Sequence, residues 1–558
     1  MTERAGPSIM VARPASIESA RAALVKGARR LADEPNVAIT AAAAAAATLV
    51  LVILGAAPGE SLGSGYGRAL PFIVAILAPV VAGGAVIAPW RGLVAWIAIM
   101  PVLLLPRVQV TIGALQVTLT TAIVLALLAG LLLERGRQVP THLHEAGRLA
   151  RYVWLGVAVL SALSIASAMA SGDFAGGLPI VLHGVIEPAF LLGLVVGLRP
   201  GSRQIGWLGL AMAVSVAAAS VYSVLRISKV ATTVAEVAAQ RQQLAHFTYY
   251  NVGIYGDMLA MALPLLLVSI LAWRELGLRR WSLALLLIGL VFSLIGLYET
   301  FSKSAWIGAV AAIGFVALVW ARTWPRRGAV VLAGLVIAAF IVPYPLYLIR
   351  ALGQSPSSTN PYVAAISGFQ GGRIASWNPD SSEGEVSISE RLLATEAALR
   401  MAADHPVLGI GPGRFGIDYL SNRYRPRTAT RKLGSAHDFL PNLAAELGIP
   451  AAILVFLAFL IASAALVRAY LSGDRLRRLL AVGLGGSIIG FVIVGATFGI
   501  DLYRTYRVMN ADVLFAGLLV AAALCLGARS ANEARSGNEL NGGGEVVSGL
   551  PAKDLSRE

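Results

Sequence analysis

The chain has 558 residues, of which 57% are hydrophobic and 13% charged, with a formal net charge of +15. A soluble domain carries about 25% charged residues, so a mean hydropathy of +0.74 excludes an ordinary soluble fold and points to membrane spans. The positive balance would suggest nucleic acid in a soluble protein; here Lys and Arg in cytoplasmic loops account for it, and no nucleic-acid partner is expected.

Alanine- and leucine-rich runs of about 20 residues read as membrane helices, because a backbone in lipid must satisfy its polar groups within its own segment. They lack the short alternating strands of a membrane β-barrel. Cys525 is the single cysteine, so an intrachain disulfide and a cysteine metal site are excluded.

Residues 1–36 are basic, with Arg4, Arg13, Arg21, Lys26, Arg29 and Arg30. A signal peptide places a short apolar core near its start, whereas the first apolar run begins near Val37. A cytoplasmic tail followed by a retained span is expected. Apolar segments then occur at 37–56, 69–89, 92–106, 114–133, 152–171, 178–198, 204–225, 252–272, 281–298, 303–321, 328–349, 438–467, 478–498 and 511–527. The fold class is therefore an all-α polytopic membrane protein with about 12–14 transmembrane helices. A large extracytoplasmic loop containing short helices interrupts the bundle. The expected regions are a tail at 1–36, a bundle at 37–349, the loop at 350–437, a second bundle part at 438–527 and a disordered cytoplasmic tail at 528–558.

With the N-terminus inside, nearly every short basic loop falls on the same side, including 134–151, 199–203, 274–280, 322–327 and 468–478. That agreement with the positive-inside rule supports the topology. The two longer outside loops are 226–251 and 350–436; the second holds ten basic and seven acidic residues.

Residues 351–386 of the large loop are rich in Gly, Ser and Pro and read as irregular. Ser387-Ile388-Ser389-Glu390 fits a capping box opening a helix. Leu392, Leu399 and Ala403 then recur on one face, and His405-Pro406 ends the helix. Gly409–Gly413 reads as a turn, without the Lys-Ser/Thr of a phosphate loop. A basic run leads to His437, with Pro441 in the first turn of the next span. The tail after Gly527 is too polar to form a core.

Ionisable residues inside spans are costly and mark functional sites by default. Here they are His183, Glu187 and Asp257, with Glu299, Lys303, Glu446 and Asp501 beside span ends. All fall toward the outer side in this topology, as in a polar cavity open outward. For Glu187, which precedes Pro188, satisfying backbone at a kink is the more economical reading.

The run DHPVLGIGPGRF after Arg391, followed by AHDFLPNLAAELG, resembles the signature of the O-antigen ligase and O-antigen polymerase superfamily of bacterial membrane glycosyltransferases. An upstream family element, an arginine at the outer end of a span, corresponds to FSKSAWIGA at 301–309, with Lys303 in the arginine's place. Lysine keeps the charge but lacks the planar fork that grips phosphate. Asp438 stands where the family usually has Asn, and Pro441 is unusually close to the histidine.

The resemblance implies transfer of glycan from an undecaprenyl-diphosphate carrier to an acceptor hydroxyl at the outer face of the cytoplasmic membrane. The acceptor is another lipid-linked unit in a polymerase, or a glycan, glycolipid or protein in a ligase; the residues do not choose. A diphosphate leaving group needs positive charge, which Arg391, Lys303 and Arg414 supply. His437, with an unperturbed pKa of about 6.5, serves as general base or positions the acceptor. Glu446, Asp501 and Asp438 orient groups or bind sugar hydroxyls. No metal or other cofactor is expected. The bland alternatives are an interfacial histidine, a snorkelling Lys303, a headgroup contact for Arg391 and helix-end carboxylates. The rival function is a transporter or flippase of a charged lipid or solute, which predicts dependence on an ion gradient.

Overall fold

The computed structural model describes residues 26, 35–55, 66–103, 109–112, 115–135, 147–227, 252–300, 302–321, 385–421, 423–425, 433–436, 438–497 and 511–542. The N-terminal half contains α1 (Pro35–Gly55), α2 (Tyr66–Ile87), α3 (Pro89–Leu103), α4 (Leu119–Arg135) and α5 (Gly147–Ala170). Then follow α6 (Phe174–Val181), α7 (Glu187–Leu198), α8 (Ser202–Ile227), α9 (Val252–Leu271), α10 (Arg280–Glu299) and α11 (Lys303–Trp320). The C-terminal half holds α12 (Glu385–Asp404), α13 (Phe415–Leu420), α14 (Phe439–Leu447), α15 (Ile449–Ser472), α16 (Arg475–Thr497) and α17 (Ala511–Gly542). Among the described residues eight helical segments are long and apolar enough to cross a membrane, and four shorter apolar helices accompany them. The chain is an all-α polytopic membrane protein.

Two kinds of span are distinguished by what they bury. In Gly253–Leu271 of α9, 83% of residues are inside, against 22% in Ile449–Ser472 of α15. The outer spans instead expose large apolar side chains such as Ile39, Leu155, Trp281, Leu285 and Ile453. In water such faces would be unstable; in lipid they are the matched surface. The central spans α9, α11 and α16 pack mutually. Their contacts use small residues: a Cβ on Gly490 would stand 2.8 Å from the Ala260 carbonyl oxygen, and one on Gly308 2.8 Å from Val494. Close backbone approach of this kind replaces the hydrophobic drive that lipid does not supply.

Several boundaries differ from the sequence reading, each for a local reason. The expected span at 114–133 begins as a hairpin, Gln109–Ile112 against Leu115–Thr118, before α4 starts at Leu119. The expected span at 178–198 is interrupted by a π-helical turn at Leu182–Ile186. The expected segment 438–467 breaks at Gly448, which separates α14 from α15. The helix from 387 begins earlier, at Glu385. The apolar run 511–527 continues as helix to Gly542. The expected span at 328–349 and most of the outside loop at 226–251 lie outside the described residues.

The break at Gly448 positions the rest of the site. Its φ of +91° lies in the region that disfavours side chains, and a Cβ there would stand 2.1 Å from the Val407 carbonyl oxygen. Only glycine fits both conditions. Gly448→Ala is expected to destabilise the protein by about 2 kcal/mol or more, read as a lower midpoint of thermal unfolding in detergent. Gly84→Ala, at a helical position with open space around its Cβ, is the control and should leave the midpoint in place.

Candidate functional site

The segment between α12 and α15 folds as one cap. α12 buries an alanine-rich face, Ala394, Ala397, Ala398, Met401 and Ala402, against Phe415, Tyr419, Ile410 and Ala436. The expected apolar face was different: Leu399 is 56% exposed, and Ala403 is exposed as well. Small side chains won because they let the following turn approach the helix. The Phe415 and Tyr419 rings stack at 5.5 Å within that core.

After α12 the chain Pro406–Phe415 runs along the C-terminal end of α14. A helix end leaves carbonyls without intrahelical partners, and this segment supplies the donors. Ile410 N–H donates to the Ala445 carbonyl at 2.8 Å, and Gly411 N–H to that of Glu446 at 3.1 Å. In return Ile449 N–H donates to the Pro406 carbonyl at 2.9 Å. The glycines of GIGPG permit the contact: a Cβ on Gly409 would stand 2.4 Å from the Glu446 backbone.

Glu446 closes the interlock. Fully buried, it accepts Gly413 N–H at 3.0 Å on one carboxyl oxygen and Phe415 N–H at 3.3 Å on the other. Its backbone carbonyl also accepts the Ser167 hydroxyl at 2.9 Å. Arg414 lies between the two donors, and its guanidinium donates to the Ser171 carbonyl at 2.8 Å. Ser167 and Ser171 belong to the end of α5 and the turn into α6, so the cap is anchored on that turn. Below it Leu443, Leu447 and Ala451 pack with Ile180 and Val185.

The approach to His437 is held separately. Ala436 N–H donates to Asn442 Oδ1 at 3.0 Å, and its carbonyl accepts the Thr395 hydroxyl at 3.3 Å. Asn442 and Ala436 are buried. Sequence reasoning passed over both Asn442 and Thr395; the available signal was a polar residue within the apolar stretch FLPNLAAEL. Asp438 occupies the N-cap position of α14 but makes no capping bond with its side chain. Half-buried, its carboxyl is pushed above the usual range by loss of water.

A second group of polar residues surrounds the turn between α10 and α11. Asp257, Glu299, Thr300, Ser302 and Ser304 are all buried. Thr300 Oγ1 accepts Ser302 N–H at 3.1 Å, and the Ser302 and Ser304 hydroxyls lie 3.0 Å apart. Trp306 Nε1 reaches back to the Leu297 carbonyl at 2.7 Å. Lys303 is the first residue of α11. Contacts link this turn to the cap: Gly308 meets α16 at Gly490 and Val494, while Phe491 of α16 meets Phe439 edge-on at 5.7 Å. The lysine turn and the start of α14 thus approach the same stretch of α16.

Of the residues that the sequence assigned to substrate or catalysis, Arg414, Glu446 and Asp438 have described side chains. Arg391 lies in the first half of α12, and it and Lys303 are described by their helices alone; His437 and Asp501 lie outside the described residues. Glu187 does not serve backbone at a kink. It accepts the Thr121 hydroxyl, and His183 Nδ1 lies 3.1 Å from the same carboxyl oxygen, all three being buried.

Two expectations test this geometry. Glu446→Gln keeps one acceptor oxygen but turns an amide N–H₂ toward a backbone donor, which should cost about 1–3 kcal/mol. Glu446→Ala strands both donors and should cost more; thermal unfolding in detergent reads both. Asp438 has a folded-state pKa above its unfolded value, so its stabilising contribution is present at low pH and is lost as pH rises through the raised pKa. Asp438→Asn should therefore raise the unfolding midpoint at neutral pH, the gain vanishing below about pH 4.

No curated protein matches the chain. Residues 288–456 match the family model described as O-antigen ligase. The matched stretch runs from within α10 to within α15 and so encloses the Lys303 turn, Arg391, the glycine turn and the Glu446 interlock. Over that segment, which is less than half of the chain, the protein is similar to the O-antigen ligase family.

Proposed function

We propose that the protein transfers or polymerises glycan from an undecaprenyl-diphosphate carrier onto an acceptor hydroxyl at the outer face of the cytoplasmic membrane. The observation that carries this reading is the cap itself: a family-matched segment in which the glycine turn is interlocked with Glu446 and the approach to His437 is held separately by Asn442. A preorganised set of donors and charges is what diphosphate departure needs.

In this reading Arg391, Lys303 and Arg414 hold the diphosphate as negative charge develops on the leaving oxygen. Arg414 is aimed by its bond to Ser171, and its neighbours Gly413 and Phe415 are fixed by Glu446. His437 takes the proton from the acceptor hydroxyl, or orients that hydroxyl. The oxygen then attacks the anomeric carbon, the glycosidic bond forms and the bond to the carrier diphosphate breaks. Glu446 fits a scaffolding role in this scheme; Asp438 and Asp501 contact sugar hydroxyls. The reaction needs no metal or cofactor in this scheme. The 350–437 region faces outward, opposite the basic short loops.

The test compares cells that make an undecaprenyl-diphosphate-linked glycan and carry the parent protein, His437→Ala or Arg391→Ala. Each substitution should cut transfer by about 100-fold or more, as loss of a proton-transfer group or a charge clamp does. Lipid-linked glycan should accumulate at unchanged protein level. Unchanged glycan profiles in both variants would defeat the proposal. Transport that depends on an ion gradient would favour the rival reading.

A further inference from the structure

The residues that hold the histidine approach are a separate device from the Glu446 interlock. Ala436 immediately precedes His437, and both polar groups of its peptide neighbourhood are tied. Its N–H goes to Asn442, at the end of the first turn of α14. Its carbonyl goes to Thr395, which lies four residues, one helical turn, after Arg391 on α12. The pin is buried: Ala436 is 0% and Asn442 1% exposed. A peptide held on both its N–H and its C=O limits how far the next residue can stray, since successive Cα atoms are about 3.8 Å apart.

We infer that Asn442 and Thr395 are positioning residues that pin the peptide of Ala436, the residue before His437 in the chain, to the helix that carries Arg391. The inference rests on the reading of His437 and Arg391 as working groups for its functional consequence, but not for its geometry. Polar residues at these two positions have no other described partner role as direct as this one. Asn442 sits on the face of α14 that turns inward, where a leucine would bury more apolar area; the amide is retained for the bond it makes. Thr395 is half-buried on a helix whose buried face is otherwise alanine and methionine.

The experiment uses the full chain with Cys525→Ser, spin-labelled at Leu399→Cys on α12 and at Gly434→Cys beside the pinned peptide. Leu399 is 56% exposed, and a Cβ at Gly434 meets nothing within 4 Å. The parent should give one narrow label-to-label distance. Asn442→Leu and Thr395→Val, which remove the acceptor and the donor, should each broaden it. Asn442→Asp and Thr395→Ser, which restore them, should return it to the parent width. A second pair, Ile453→Cys on α15 and Val492→Cys on α16, should stay unchanged in every variant, which separates local release from loss of fold.

The same variants are assayed in proteoliposomes with undecaprenyl-diphosphate-linked glycan. Release of the pin should lower kcat by about 10- to 100-fold, the scale of a 1 Å misplacement, with KM within about twofold. Broadened distances with unaltered transfer would keep the pin and remove His437 from the chemistry. An unchanged 399–434 distance in both Asn442→Leu and Thr395→Val would overturn the inference whatever the activity; Thr395→Val, at a half-buried position, provides that result even where Asn442→Leu does not fold.

Discussion

The cap depends on one buried carboxyl group. Glu446 receives two backbone N–H groups from a loop that is distant in sequence, and its own carbonyl receives a third backbone donor and a serine hydroxyl. Without those bonds the loop 406–415 would present buried donors to an apolar interior, each an expensive omission. With them, the helix end and the loop become one body. Its glycines are consequences: Gly409, Gly411 and Gly448 have positive φ, and each would bring a Cβ within 2.5 Å of neighbouring atoms.

This interlock joins two stretches that lie about thirty residues apart in the chain. The glutamate and the glycine after it are the receptor; the glycine turn is the ligand of that receptor. The cap is then fixed to the bundle at the α5–α6 turn through Arg414 and Ser167. At its other end it meets α16 through Phe439 and Phe491. Chemistry placed on the cap is therefore referenced to the bundle at two points, not left on a loop.

Much of the fold was legible because lipid permits so few solutions. Runs of about 20 apolar residues could only be helices, and most of those that are described lie within about five residues of the expected positions, the segment at 438–467 excepted. What the runs concealed were interruptions that leave hydropathy untouched. Gly448 divides two helices inside an apolar stretch, and the π turn at 182–186 lies in equally apolar sequence. The hairpin at 109–118 was hidden because short apolar strands and helix starts look alike.

At the site, the order of motifs was legible and their roles were partly not. Glu446 was read as one of several groups that orient or bind; that its carboxyl oxygens accept the N–H groups of Gly413 and Phe415 was not legible in the sequence. The helix after Ser387 was assigned an apolar face from leucines, but alanines make the contact, since packing distance and not hydrophobicity chose the face. Asn442 and Thr395 were missed because a lone polar residue on a helix carries no mark of what it will bond. The central claim is catalytic transfer without transport, and the most direct measurement is product formation by purified protein in proteoliposomes with no ion gradient. The account predicts that undecaprenyl-diphosphate-linked glycan is consumed and free undecaprenyl diphosphate released in step with glycan joined to acceptor. Movement of intact lipid-linked glycan across the bilayer, with no carrier released, would contradict it.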